Sequence, residues 1–214
     1  MKRAILFLSL MLFTLSGCHF GHKTGSGKMK VEKRDVPSFH AIELSGAYDV
    51  EVVAQKEQSL EIEADDNLLP LIKSEVHDGV LEINNEKSFN TRNKIRLRIS
   101  VPTLNSINTS GASDIVVTGV RSDRFGIETS GAGSVKVSGE AQMVEIESSG
   151  AGNVDTKDLR APRVKINSSG AATADVYASE ELTASVSGAG NVNYYGDPKV
   201  VHEDTSGAGE LTKK

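Results

Sequence analysis

The chain is short of the residues that usually hold a small protein together. It has one cysteine, Cys18, and no tryptophan among 214 residues. A lone thiol cannot close an internal disulfide, so no covalent framework supports the fold. Aromatic residues make up 5% of the chain, so small and branched aliphatic side chains must fill the interior. Long apolar runs are missing too. The longest, AILFLSLMLFTL at residues 4–15, has twelve residues, against the roughly 20 needed to span a bilayer. There is no block of Lys or Arg, and the formal net charge is −5. A nucleic-acid partner needs a basic face to neutralise phosphates, and none is written here.

What the chain has instead is glycine, 20 residues of it, arranged with a period. The triplet Ser-Gly-Ala occurs seven times, centred on Gly46, Gly111, Gly131, Gly150, Gly170, Gly188 and Gly207. From Gly111 onward the spacings are 20, 19, 20, 18 and 19 residues. Four residues after each glycine the side chain is apolar: Val50, Ile115, Val135, Val154, Ala174, Val192, Leu211. Four before it stand Ile42, Ile107, Ile127, Ile146, Ile166 and Ala184, with Glu203 breaking the pattern. The flanking residues alternate polar and apolar, which is the period of a strand with one face buried. Each unit therefore reads as strand, small-residue corner, strand, turn.

Two short strands cannot bury their own apolar face, but stacked units can. A fixed period near 20 residues predicts an all-β, parallel β-solenoid of about 20-residue coils. Stacking places each corner directly above an identical one, where only Gly, Ala and Ser keep the cross-section thin. Gly150→Val is accordingly expected to be strongly destabilising. The superficial similarity of GAGNVD to a calcium-binding nonapeptide fails on period and on the missing tandem acids.

Domain boundaries follow. Residues 31–214 form one domain, with regular SGAG coils over 105–214 and a degenerate part over 31–104. The degenerate part alternates in SLEIEAD, GVLEINN and KIRLRISVP, with turn signals between, and is expected to cap the stack as extra coils or a meander. NLLPLIKSEV is its one candidate helical turn, and NEKSFNTRNK, residues 85–94, reads as a mobile polar loop. The final unit, VVHEDTSGAGELTKK, carries charge where other units are apolar, as a terminal repeat should.

Residues 1–17 read as a signal peptide: basic MKR, an apolar stretch, then a small-residue cleavage site. Leu15-Ser16-Gly17-Cys18 resembles the lipobox of bacterial lipoproteins, which implies acylation of Cys18 and stable membrane anchoring. Residues 18–30 read as a flexible tether; His19 and His22 lie in it and make a weak metal signal. In Gram-negative lipoproteins an Asp after the cysteine retains the protein at the inner membrane. His19 stands there instead, which by that resemblance implies the outer membrane. No acidic run follows Cys18, which favours the periplasmic side over the cell surface.

FHAIELSGAYDVEVVA, VPTLNSINTSGASDIVV, the serial SGAG units and GAGNVNYYGDP together resemble the head GIN domain family, DUF2807, described as autotransporter adhesins. The resemblance covers roughly residues 31–212. It implies a right-handed β-solenoid on secreted or lipid-anchored bacterial proteins, with no cofactor and no established enzymatic activity. All strands here are committed to the solenoid, so no autotransporter barrel is expected.

Candidate chemistry lies on the outward carboxylates. Glu128 and Glu147 fall at equivalent positions of adjacent coils, where a carboxylate pair could do acid/base work on a glycan or bind a cation. Asp155 and Asp175 are further acids of a candidate binding face, and Glu145 is nearby. Interspersed Lys136, Lys157 and Lys165 favour a solvated surface. His40, expected to face inward, His77 and His202 share no coil, so no metal site is expected. No Ser has a His and Asp at triad spacing. Three functions remain: a non-catalytic, membrane-tethered envelope protein binding glycan or another envelope partner; a carbohydrate lyase or hydrolase; or an envelope assembly or stress module acting by protein contact.

Overall fold

A computed structural model describes residues 23–214; the expected signal peptide, Cys18, His19 and His22 lie outside the described residues. In chain order the strands are β1 (Lys23–Thr24), β2 (Met29–Lys33), β3 (Ala41–Gly46), β4 (Asp49–Ala54), β5 (Ser59–Asp65), β6 (Ile72–His77), β7 (Val80–Asn85), β8 (Phe89–Asn90) and β9 (Arg96–Val101). The regular part continues with β10 (Ser106–Gly111), β11 (Asp114–Thr129), β12 (Ser134–Ser148), β13 (Asn153–Arg160), β14 (Arg163–Ser168), β15 (Thr173–Tyr177), β16 (Glu181–Gly188), β17 (Asn191–Tyr195), β18 (Val200–Gly207) and β19 (Glu210–Lys213). They form a β-solenoid. The strand entering each glycine corner pairs in parallel with its equivalent one coil away, as does the strand leaving it. Strands β11 and β12 are long because each leaves one glycine corner and runs on into the next coil.

The face made by strands entering the corner runs β6–β7–β3–β10–β11–β12–β14–β16–β18. The other runs β2–β5–β9–β4–β11–β12–β13–β15–β17–β19. Gly46 pairs in register with Gly111 although 65 residues separate them. The chain makes its first coil, drops beneath it to build the β7–β9 coil and a cap, and climbs back to continue above. Among the described residues the antiparallel pairings are β2–β5, β5–β9 and β6–β7. They close the lower end, so the expected capping by residues 31–104 is what the fold contains.

The corners explain the triplet. The backbone N–H of the alanine after each glycine donates to the carbonyl of the glycine one coil below: Ala132 to Gly111 (2.8 Å), Ala151 to Gly131 (3.0 Å), Ala171 to Gly150 (3.1 Å), Ala189 to Gly170 (2.9 Å). That carbonyl oxygen occupies the space a side chain would need. A Cβ on Gly131 would lie 1.7 Å from the Gly111 oxygen, and one on Gly150 1.9 Å from the Gly131 oxygen. Backbone at these two corners is not in the left-handed region. Close approach, rather than a special dihedral, demands glycine there.

Tyr48 ends the stack of corners. It replaces the second small residue of the later units, is 2% exposed, and lies under Gly46, where a Cβ would meet its ring at 2.7 Å. Its hydroxyl donates to Asn85 Oδ1 (2.8 Å) in the coil below, and burial pushes the phenol well above its ordinary pKa.

The core is one continuous column. Low in the stack it holds Leu81, Ile83, Ile42, Leu44, Leu97 and Ile99; near the top it narrows to Ala174, Ala184, Val186 and Val192. On the entering face one interior ladder is polar, with Thr109, Thr129, Ser148 and Ser168 all buried and in register. The last coil has the charged character expected of it: β18 is exposed throughout, and Glu203 stands above Ala184.

Three local expectations change. The tether expected to run to residue 30 is structured from Lys23: β1 pairs with β8, and β2 adds an antiparallel edge strand to β5. Gly and Ser in that segment permit a tight, hydrogen-bonded path. The polar loop 85–94 is tied down by the 1%-exposed Asp65, which accepts from Thr91 Oγ1 (2.7 Å) and Asn93 Nδ2 (2.8 Å). His40 is exposed, and Phe39 beside it is buried instead. At the start of this coil no strand precedes the residue, so alternation does not extend back to it. The expected helical turn is present as a 3₁₀ turn, Leu69–Leu71.

Candidate binding face

Alternation sends every second residue of β10, β11 and β12 outward, and stacking lines these residues into ladders. Glu43, Asn108, Glu128, Glu147 and Asn167 are consecutive rungs of one ladder on the entering face. Glu128 and Glu147 are therefore neighbours, about 4.8 Å apart in backbone spacing. Asp155 and Asp175 are neighbours as well, but on the face leaving the corner. The four acids proposed as one face form two pairs on two faces, because the corner lies between the strands that carry them.

The two pairs differ in chemistry. Asp155 is neutralised by Lys157 Nζ (3.1 Å) and Lys136 Nζ (3.6 Å), and Asp175 accepts from Asn193 Nδ2 (2.8 Å). This pair is occupied in holding its own surface. Among the described residues Glu128 has a single partner, the long 3.3 Å bond from Asn108 Nδ2. Beside it, Glu145 receives Arg124 Nε (2.7 Å) and a second guanidinium nitrogen. Those bonds hold its carboxyl below the usual carboxylate range. A general acid for glycoside cleavage needs the opposite perturbation.

Next to the carboxylate ladder runs a second outward ladder, Ala41, Ser106, Gly126 and Glu145. Three small residues in a row leave a trough. It opens into a groove of about 880 Å³ toward the far corner, where Asn105, Arg121, Ser122, Asp123, Glu140 and Gln142 line it. On the other side it extends about 380 Å³ past Glu43, Asn108, Glu128 and Glu147. Ser106, Gly126 and Glu145 belong to both parts. Gly126 is unlike the corner glycines. Its φ is outside the left-handed region, and a Cβ there would meet nothing closer than the Ser106 Cβ at 3.4 Å. The fold would accept a side chain at 126, and the groove would not.

Sequence reasoning found the carboxylate ladder but missed the groove. Gly126 is a lone glycine outside every SGA triplet, and that was the available signal. Among the described residues no three His, Cys, Asp or Glu side chains cluster to hold a metal.

A capped stack of parallel coils with an open polar groove on one face defines a β-solenoid. The chain belongs to the family DUF2807, "Putative auto-transporter adhesin, head GIN domain", whose model matches residues 38–198. That description is one of a cell-envelope or surface protein, not of an enzyme. A crystallised protein from Bacteroides fragilis, called an adhesin in its description, is similar at 27% identity and a TM-score of 0.75, over 89% of this chain and 99% of that one. An adhesin of the same description from Parabacteroides distasonis shares the fold at 21% identity and a TM-score of 0.59, over 90% and 100%. A lipid binding protein, so described, from that species shares it at 19% and 0.56, over 90% and 99%. No curated protein is detectably similar in sequence.

Proposed function

We propose that this chain is a non-catalytic, lipid-anchored envelope protein that binds a neutral, hydroxyl-rich glycan in the groove over Ser106 and Gly126. The observation that carries the reading is Gly126: a glycine the backbone does not require, at the floor of the groove. The lining fits the ligand class. Carboxylates and amides accept and donate to sugar hydroxyls, while six acids, Glu43, Asp123, Glu128, Glu140, Glu145 and Glu147, against Arg121 and Arg124 repel an anionic polymer. The anchor is acylated Cys18 at the outer membrane, with the domain on the periplasmic side.

The test is a screen of the purified chain against neutral and acidic cell-wall and surface polysaccharides, repeated with Gly126→Leu. The reading predicts binding of a neutral polysaccharide that Gly126→Leu abolishes while the unfolding midpoint stays near wild type. Binding untouched by Gly126→Leu would remove the groove from the account. Turnover lost in Glu147→Gln would make the protein an enzyme using the Glu128–Glu147 pair. Capture of one envelope protein without any glycan signal would make it an assembly module.

A further inference from the structure

We infer that the capped end of the solenoid is a membrane-contact surface for anionic phospholipid, and that the protein stands on the bilayer with its last coil pointing away. This rests on the anchoring of Cys18 proposed above. Lys23 pairs at the cap through β1, and only residues 19–22 separate it in sequence from the anchor. Five Cα–Cα steps reach at most about 18 Å. The chain enters at the cap, through β1 on the loop that carries β8 and β2 at the lower sheet edge. From Gly46 to Gly207 the corners rise through six coil spacings, about 29 Å. The anchor can thus hold the cap against the headgroups, and the tether is too short for the last corner to take the cap's place.

Charge along the axis fits the same orientation. Segments 23–30 and 86–94 hold six cations and one acid, Glu86. Lys23, Lys28, Lys30, Lys87 and Arg92 are all exposed, and none makes an ion pair among the described residues. The acids within or beside these two segments are engaged: Glu86 with Lys73 (3.6 Å), Asp65 with Thr91 and Asn93, and Asp66 with Ser26 Oγ (2.5 Å), under the field of Lys28 and Lys30; the β6–β7 hairpin at the same end adds Glu75 and Asp78. Met29 and Val31, 39% and 48% exposed, lie on the same edge strand. Cations beside exposed aliphatic side chains suit the headgroup region of an anionic bilayer. The far end has the opposite sign: residues 180–214 hold six acids and three lysines, one of which, Lys213, pairs with Asp197 (2.7 Å). An anionic surface attracts one end and repels the other, which favours standing over lying.

The test uses the chain purified with its lipid from bacterial membranes and reconstituted in phosphatidylethanolamine–phosphatidylglycerol vesicles. A fluorophore is placed at Lys87→Cys or at Thr212→Cys, and headgroup spin-labelled lipid serves as quencher. The cap label should be quenched at least about threefold more than the last-coil label. Equal quenching, or stronger quenching at Thr212→Cys, overturns the orientation. A second arm does not depend on the lipid. The Cys18→Ser chain should sediment with phosphatidylglycerol vesicles at low ionic strength and not with phosphatidylcholine, and Lys28→Glu/Lys87→Glu/Arg92→Glu should abolish it. No sedimentation with either lipid, or equal sedimentation with both, overturns the contact surface. A mass spectrum without acyl chains on Cys18 would refute the anchor alone, leaving the second arm to judge the surface.

Discussion

The two halves of this solenoid share one cross-section and build it by different means. From Gly111 upward, each coil repeats the one beneath it, and its corner is a backbone hydrogen bond made over a glycine carbonyl. Below Gly46 no corner repeats. Tyr48 fills the space with a ring, loop 86–94 takes the place of a glycine corner, and antiparallel strands close the end. Arg34, with its side chain 15% exposed, bonds the carbonyls of Ile72 (2.6 Å) and Leu69 (2.8 Å) at the 3₁₀ turn. The comparison teaches that identity is demanded only where like stacks on like. Where the column must end, stability comes from particular side chains, each used once.

The largest effect should come from breaking the repeat at a corner. Gly150→Val puts a branched side chain onto the Gly131 carbonyl, 1.9 Å from where its Cβ must go. A loss of about 4 kcal/mol or more is expected in urea unfolding, from overpacking together with the broken Ala151 bond. Next comes the cap. Arg34→Ala strands two carbonyls of a partly buried turn and should cost about 2–3 kcal/mol, with amide exchange rising in β5 and β6 before β16.

A smaller change of opposite sign is expected inside the regular half. Ser148 Oγ is buried and has no hydrogen-bond partner among the described residues. Ser148→Ala removes an unsatisfied hydroxyl and should raise stability by about 1 kcal/mol. The smallest effect is the titration of Glu145. Arg124 lowers its carboxyl pKa in the folded state, so its contribution is present above the unfolded value, about 4.3, and is lost as pH falls through the folded one. Between pH 7 and pH 3 wild type should lose slightly more stability than Arg124→Gln, because the pair is largely exposed and solvent-screened.

The regular half was legible almost residue by residue. Val144, Ile146 and Val154 face inward, and Glu145, Glu147 and Asp155 outward, as alternation predicts. The pairing Glu128–Glu147 followed from spacing alone. The cap was legible only as strands. That β3 and β4 lie between the β7–β9 coil and β10 depends on a long chain excursion returning beneath itself, and alternation does not encode order in a stack. Arg34 and Asp65 act across 35 and 26 residues, with no motif to announce them. Asp155 and Asp175 were separable from Glu128 and Glu147 only once the corner between their strands was placed.

The most direct test of the account compares two glycines in one fold. Urea unfolding of Gly131→Ala and Gly126→Ala should differ by about 3 kcal/mol or more: at 131 the Cβ falls 1.7 Å from a carbonyl oxygen, whereas at 126 its nearest contact is 3.4 Å away. Gly126→Ala should stay within about 0.5 kcal/mol of wild type or gain slightly from the stiffer unfolded chain. Equal costs at the two sites would contradict the claim that carbonyl-over-glycine stacking holds the coils together.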